Sequence, residues 1–465
     1  MTFKSTLLLT VASLLASQSF AADKPQDQPM NILMIAIDDL NDWVGFLGGH
    51  PQAKTPNMDR LAAQSMVFEN ANCSSVACNP SRSALMSGLP PYVTGLYSNH
   101  QKMRSVPALK DAIMIPRYFS NHGYTSMVRG KIFHHADMDE QSWDIMSNQK
   151  KDKLKIPKDQ QTDMSPYKDI KIDNGLTFVQ KPQIAWKSTM QPKELSQDYQ
   201  NAIWAAQWLT DSADQDTPLP FFLACGIFRP HLPWTVPAEY YARFDLDTIE
   251  LPPINEDDYS DIKGGPAAEY IDAKERGLLK EITWAYLANV AYADDCVGVL
   301  LDALEESPYK DNTIVVLWSD HGWHVGEKMR YKKSTLWEET ARMPFLMKVP
   351  GAEPGRSIRP INLIDLYPTL IDLAGLPEKA DLTGRSFKPL IDNPEMEWNY
   401  PSITTSSSGY SLRNERWRYI IKKGGVEELY DHSKDPNEWH NLASNPEYDS
   451  VKAAFSKFIP KKQHK

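Results

Sequence analysis

The chain alternates between unbroken apolar runs and longer stretches with helical periodicity. Asn31–Asp38 (NILMIAID), Pro220–Phe228 (PFFLACGIF) and Asn312–Trp318 (NTIVVLW) are apolar at consecutive positions rather than at every second one. A strand with one solvated face alternates; a strand covered on both faces does not. These three runs are therefore predicted as buried strands of a parallel sheet. Tyr124–Val128 and Pro344–Val349 are predicted as shorter strands. Helices are predicted over Thr55–Val67, capped by Thr55 or Asn57, and over Pro80–Met86, where proline sits early and its missing N–H costs little. Further helices are expected over Ala112–Asn121, ended by Gly123, over Leu195–Ala213, over Ala267–Glu306 with a break, and over Ile361–Ala374, ended by Gly375 and Pro377. Residues 140–195 are polar, Lys-rich and irregular, and read as an insertion over the sheet edge.

Strand–helix alternation implies an α/β fold with a doubly wound, mixed but mostly parallel sheet, whose ligands bind beyond the C-terminal strand ends. After about residue 378 the texture changes to short strand pieces such as Trp417–Lys422 and Glu428–Tyr430. Residues 22–377 are expected to form the main domain and 378–465 a smaller C-terminal α+β subdomain with a small antiparallel sheet. The first 21 residues carry Lys4, a largely apolar run from Leu7 to Leu15, and the small residues Ser19 and Ala21. This is the pattern of a secretory signal cleaved after Ala21. The run is too short to cross a bilayer, so the expected location is secreted or periplasmic, with no membrane attachment after cleavage.

Lys and Arg number 50 against 60 Asp and Glu, a formal charge of −10, which argues against nucleic acid as a partner. An anionic substrate would have to be drawn by a local basic pocket and a metal. Four cysteines in 465 residues are too few for a disulfide framework. Cys225 and Cys296 lie in apolar segments and read as small buried hydrophobes. Thirteen Trp and twenty Tyr suit sugar stacking, and also the filling of a large core.

Two of the buried strands end on residues that bind hard cations, Asp38-Asp39 and Asp320-His321. Adjacent strand residues point to opposite faces, so both members of a pair can meet one ion only where the strand stops and the chain turns. Three carboxylates and an imidazole suit Ca²⁺ or Mg²⁺ better than zinc; the bland reading of Asp39 or Asp320 is a helix cap. The segment 77–88 reads ACNPSRSALMSG. Cys78 is expected just before a Pro-initiated helix, facing the positive end of its dipole, with Arg82 one turn on toward the same side. An anion held there would meet backbone N–H groups and a guanidinium fork. The bland reading is a buried thiol.

Cys78-x-Pro80-Ser81-Arg82 with Gly88 six residues on is similar to the signature of the type I sulfatases. In that family the cysteine is oxidised to formylglycine (3-oxoalanine) by a dedicated maturation enzyme that reads the proline and arginine. Within the family the chain resembles the iduronate 2-sulfatase-like branch, through Gly130-Lys131-Ile132-Phe133-His134, Arg229-Pro230-His231-Leu232-Pro233, and Ser319-Asp320-His321-Gly322-Trp323 running to Lys333. The closing Glu427-Glu428-Leu429-Tyr430-Asp431…Asp435-Pro436-Asn437-Glu438…Asn441-Leu442 looks like that family's C-terminal subdomain. The resemblance implies an alkaline-phosphatase-like fold and a sulfuric ester hydrolase whose Asp38, Asp39, Asp320, His321 and modified Cys78 bind Ca²⁺, in preference to Mg²⁺. It implies that Arg82 holds the formylglycine, that Lys131 and Lys333 contact sulfate, that His134 contacts the formylglycine or sulfate, and that His231 sits by the leaving oxygen. A hydrated aldehyde offers two hydroxyls, one to attack sulfur and one to expel sulfate afterwards. Lys332 competes with Lys333 for its role, and His135 with His134. His324 is a candidate for the pocket wall, and Arg413 for a substrate carboxylate or second sulfate. The implied substrate is a sulfated carbohydrate, an oligosaccharide of carrageenan, ulvan or glycosaminoglycan type, 2-O-sulfated and attacked from its end. The alternatives are a phosphonate or phosphate-ester hydrolase with the same geometry, and a silent homologue that only binds sulfated glycans.

Overall fold

In a computed structural model of the chain, the described residues are 29–134, 138–147, 152–178, 181–211 and 220–460. The leader expected at 1–21 lies outside them, as does His135. The centre is an eight-stranded sheet built from Asn31–Ile37 (β1), Met66–Phe68 (β2), Thr125–Gly130 (β3), Ile145–Met146 (β4), Phe221–Ile227 (β5), Thr313–Ser319 (β6), Phe345–Lys348 (β7) and Gly355–Ser357 (β8). Their spatial order is β8-β2-β7-β6-β1-β5-β3-β4. β1 lies parallel between β5 and β6, and β3 lies parallel between β5 and β4. β8 is parallel to β2, and only β7 runs antiparallel, to β6 and β2. The sheet is therefore mixed and mostly parallel, as expected from the sequence.

Every residue of β1, β5 and β6 is buried, which is why these segments are apolar throughout. Leu33, Ile35 and Ile37 enter one core, beneath Gln197–Asp211 and Leu279–Glu306. Ile32, Met34 and Ala36 enter the other, beneath Cys78–Ser87 and Leu366–Leu373. We label the helices Pro56–Ala62 (α1), Cys78–Ser87 (α2), Gln197–Asp211 (α3), Ala268–Glu275 (α4), Leu279–Glu306 (α5), Glu338–Ala341 (α6) and Leu366–Leu373 (α7). The break expected within 267–306 falls between α4 and α5, at Gly277, whose φ of +68° glycine adopts without steric cost.

Two expectations need correction. The helix predicted to reach Val67 ends at Ala62, because Met66 and Val67 pair with β7 and β8 and sheet pairing overrides a weak helical period. The stretch 140–195 is not structureless: Asp173–Phe178 and Lys181–Thr189 form a hairpin that pairs with Trp234–Pro237. Its signal was a short alternation, with Ile184 and Trp186 buried and Ala185 between them partly exposed, masked by the polar residues around it.

The cap of α1 comes from another helix. Neither Thr55 nor Asn57 caps through its own side chain; instead Asp294 of α5 accepts hydrogen bonds from the backbone N–H of Asn57 (3.1 Å) and Met58 (2.8 Å) and from Asn57 Nδ2 (2.9 Å). Burial pushes the Asp294 carboxyl up to about 6 despite these donors. A carboxyl raised on folding favours the native state below its unfolded value near 4, and that contribution is lost as pH rises through 6. The substitution Asp294→Asn is therefore expected to gain stability relative to wild type, by on the order of 2 kcal/mol, between pH 4 and pH 7.5 in chemical denaturation. A pH-independent difference would contradict this account.

The C-terminal unit is a four-stranded antiparallel meander, Ser402–Ser406 (β9), Gly409–Arg413 (β10), Trp417–Lys422 (β11) and Val426–Asp431 (β12). It grips the segment 328–342 of the larger unit. Arg418 of β11 pairs with Glu338 of α6 and lies 2.6 Å from Glu438. Trp337 Nε1 donates to Glu428 of β12 at 2.7 Å. Lys328 donates to Asp258 and to the carbonyl of Glu438. Among the described residues no helix is long and apolar enough to cross a membrane.

Candidate active site

The C-terminal ends of β1 and β6 stand side by side and deliver four ligand-type residues to one point. β1 stops at Ile37, and Asp39 turns into the left-handed region at φ +62°. That turn lets the neighbouring carboxylates of Asp38 and Asp39 face the same centre, which a continued strand forbids. Ser319 closes β6 and ties the two ends together: its hydroxyl accepts from Leu40 N–H (3.0 Å) and donates to the carbonyl of His321 (2.8 Å). Asp320 reaches back, its Oδ1 accepting from Asp39 N–H at 3.2 Å.

Cys78 is the first residue of α2 rather than the residue before it, with Ala77 extended ahead of it and Pro80 in third place. Its Sγ receives Lys333 Nζ at 2.8 Å and lies 3.4 Å from His321 Nε2. His134 and His231 also hydrogen-bond the thiol. Burial opposes the thiolate, but Lys333 and His321 outweigh it and hold the thiol well below its usual range. The anion cradle expected at this helix terminus is poorer in backbone donors than the sequence suggested. Asn79 N–H is spent on Asn99 Oδ1 (2.9 Å), and Pro80 has none. Side-chain cations supply the positive field instead.

Arg82 makes its hydrogen bonds to the acidic strand ends and to the Lys131 loop. It is fully buried and bridges the two acidic strand ends: Nε donates to Asp320 Oδ2 (2.8 Å) and Nη2 to Asp38 Oδ1 (3.0 Å). Its Nη1 donates to the carbonyls of Lys131 (2.7 Å) and Ile132 (3.0 Å). The guanidinium thus fixes three loops at once. Lys131 sits on Asp38 and Lys333 on Asp39 Oδ1 at 2.6 Å. Burial and then the facing carboxylates decide the titration: the Asp38 carboxyl is held well below the usual range by Lys131, while Asp320 is pushed up to about 7 by burial against the pull of Arg82. His321 rises to about 9, since Asp320 outweighs its burial. Its Nδ1 donates to the carbonyl of Gly322 (3.0 Å), which leaves Nε2 aimed at the centre.

A close backbone approach places Lys131. Gly130 (φ +82°) ends β3 beside Gly226 of β5, and a Cβ on Gly226 would fall 2.3 Å from the backbone of Lys131. Only two glycines let the loop return this near to the sheet. The loop Phe228–Pro233 is anchored by Asp198, which accepts from the N–H groups of Phe228 (2.8 Å) and Arg229 (3.0 Å). His231 Nδ1 donates to the carbonyl of Leu232 (2.6 Å), and Nε2 faces Asp39 Oδ2 at 3.7 Å. Asp198 carries no signal in the sequence, and Ser319 and Ser81, whose hydroxyl holds the Asp320 carbonyl at 2.6 Å, stand in the quoted motifs without an assigned role. Each matters only through the partner that folding brings to it.

Lys332 turns to Glu269, 3.6 Å away, so Lys333 is the lysine at the centre. His324 is buried, bonds Thr335 through Nε2 (2.8 Å), and burial pulls it down to about 3. Arg413 is buried on Glu338 and the carbonyl of Asn414. Neither side chain joins the cluster around Cys78, and both are placed as interior structural groups.

The donor set fits a hard divalent cation. Oxygens of Asp38, Asp39 and Asp320 lie within 4.8 Å of one another, and among the described residues Asp39 Oδ2 is buried with no hydrogen-bond partner. Cys78, Asp320 and His321 form an overlapping group. Three buried carboxylates stand against three cations, the buried Arg82 and the partly exposed Lys131 and Lys333, so a bound M²⁺ would leave the centre positive and suited to an anion.

Residues 30–376 match the Sulfatase family, and residues 326–465 match the family described as N-sulphoglucosamine sulphohydrolase, C-terminal. The chain is 35% identical to a sulfatase of Formosa agariphila, covering 94% of this chain and 87% of that protein. It is 26% identical to the iduronate 2-sulfatase of Mus musculus, covering 96% of each. Among solved structures it is similar to a 2-O GAG sulfatase, with a TM-score of 0.67 and 23% identity over 93% of this chain and 91% of that one.

Proposed function

From the premise that this chain belongs to the sulfatase family and hydrolyses sulfate esters, we propose that its substrate is a sulfated carbohydrate. We place the attack at a terminal 2-O-sulfated sugar of an oligosaccharide from a carrageenan, ulvan or glycosaminoglycan. The similarity to an iduronate 2-sulfatase along the whole chain supports the sugar class and the 2-O position. The observation that carries the chemistry is the thiol of Cys78, fully buried and in contact with Lys333 and His321 beside three carboxylates.

Asp38, Asp39, Asp320 and His321 would hold Ca²⁺, the hard cation that oxygen-rich donor sets favour, and bound there it would polarise the sulfate oxygens. Cys78, converted to formylglycine by a maturation enzyme, would supply a hydrated aldehyde as nucleophile. Lys131 and Lys333 bind the sulfate and stabilise the charge spread over its oxygens. Arg82 holds the two acidic strand ends in register, and His134 orients the group at position 78. His231, with Nδ1 fixed on Leu232, can carry a proton at Nε2 and deliver it to the departing sugar oxygen. The pattern of residues 1–21 supports export to the periplasm or medium.

The test is sulfate release by protein made together with a formylglycine-forming enzyme. Oligosaccharides bearing a terminal 2-O-sulfate are expected to be hydrolysed, with a chelator removing turnover and Ca²⁺ restoring it. Faster cleavage of a phosphate or phosphonate ester of the same leaving group would replace this reading with phosphoester hydrolysis. Binding of the oligosaccharide without any release would make the protein a silent homologue.

A further inference from the structure

A second basic site lies outside the cluster around Cys78. Arg129 occupies β3 two residues before Lys131, so their Cα atoms are no more than about 7 Å apart. Its side chain is 1% exposed. Nε donates to Asn201 Oδ1 (3.1 Å), and Nη1 to Ser147 Oγ (2.7 Å) and the carbonyl of Asp152 (3.1 Å). Among the described residues Nη2 has no hydrogen-bond partner, though the guanidinium lies over the Trp204 ring at 5.9 Å. A buried guanidinium nitrogen left without an acceptor is costly and asks for an explanation.

Arg129 lines a cavity of about 400 Å³ together with Lys153, Gln191, Gln197 and Gln200. The amides are largely spent on the protein itself. Gln200 both accepts from Leu154 N–H and donates to the carbonyl of Glu194, Gln191 donates to Leu195, and Gln197 donates to Asn201. The donors left over are Arg129 Nη2 and the ammonium of Lys153, for which the described residues hold no ion pair. Among the described residues the acidic neighbour named by these contacts is Asp152, whose Oδ2 accepts from Ser147. Two cations against one carboxylate leave a single positive charge. The first turn of α3, which supplies Gln197 and Gln200, adds the positive end of a fifteen-residue helix. Asn201 links this cavity to the centre: it accepts from Arg129 and donates to the carbonyl of Gly226 (3.3 Å), the residue packed against Lys131.

We propose that this cavity is an anion subsite that takes a second acidic group of the substrate, a carboxylate or sulfate on the sugar next to the one being desulfated. The inference rests on the sulfated-carbohydrate reading and adds to it a preference for a charged neighbouring sugar.

Two experiments test it. Crystals of the full chain soaked in selenate, a sulfate mimic, are expected to show selenium anomalous density within hydrogen-bond reach of Arg129 Nη2; none there overturns the proposal, and this readout does not depend on turnover. The second compares kcat/KM for three oligosaccharides with the same terminal 2-O-sulfated sugar and a neutral, carboxylated or sulfated neighbour. Wild type is expected to favour a charged neighbour by about ten- to a hundredfold, the range of one charge-assisted hydrogen bond. Which charged neighbour gains more identifies the natural group. Arg129→Gln is expected to collapse that preference through KM, and Lys153→Gln, at an exposed position that does not threaten folding, to reduce it severalfold. A preference equal to wild type in both variants overturns the proposal. Failure of wild type to release sulfate from any of the three refutes the carbohydrate reading instead, while the selenate result still judges the cavity.

Discussion

The Cys78→Ala substitution is expected to lower sulfate release by on the order of 10⁴-fold or more, the scale on which enzymes lose rate with their nucleophile. The sulfur at position 78 meets Lys333 (2.8 Å) and His321 (3.4 Å), and the other group these two approach together is the carboxylate of Asp39, which cannot become an aldehyde and so cannot replace it. Cys78→Ser keeps a hydroxyl for attack but lacks the second one needed to expel sulfate, and is expected to turn over at most once. The other cysteines provide the contrast. Burial pushes the thiols of Cys225 and Cys296 up, which makes them inert, and Cys296→Ala, inside α5, is expected to keep full activity once folded. Sulfate assays combined with peptide mass spectrometry at position 78 decide the matter. Hydrolysis by Cys78→Ala at the wild-type rate would end the proposed chemistry.

Arg82→Ala is expected to damage both folding and turnover. Its guanidinium is fully buried against the carboxylates of Asp38 and Asp320 and two backbone carbonyls. Removing one partner of a buried ion pair leaves uncompensated charge, at a cost of about 3–5 kcal/mol. Arg82→Lys retains the charge but not the fork that spans both strand ends, so it is expected to recover part of the stability while losing more than about 10²-fold in kcat. Denaturant midpoints and kcat measured on the same preparations separate the two effects. An Arg82→Ala midpoint equal to wild type would mean that the bridge holds nothing together.

The two variants also show where sequence reading stopped. Adjacent acids at the ends of β1 and β6 were legible because strands buried on both faces are apolar throughout, and acid at such an end has few structural uses. Cys78 and Arg82 stood out by spacing, but the direction of Arg82 did not, since helical position says which side a residue faces and not which acceptor wins. His324 and Arg413 looked available because a sequence cannot show that Thr335 and Glu338 already occupy them. The choice between Lys332 and Lys333 needed the turn at 331–334 itself, where Lys332 has φ +73° and points to Glu269.

What the sequence determined by itself was local: the buried strands, most of the helices, the acidic strand ends, and a Pro-initiated helix over 80–86 next to Cys78. Hydrophobic period and residue chemistry act over a few neighbours, and these features need no more. What only the tertiary structure decided was convergence: Asp294 capping a helix 237 positions away, Asp198 pinning the His231 loop, two glycines admitting Lys131, and an unpartnered nitrogen of Arg129 at the wall of a cavity. Each is a contact between distant segments, and its energy exists only once the sheet has set their distance.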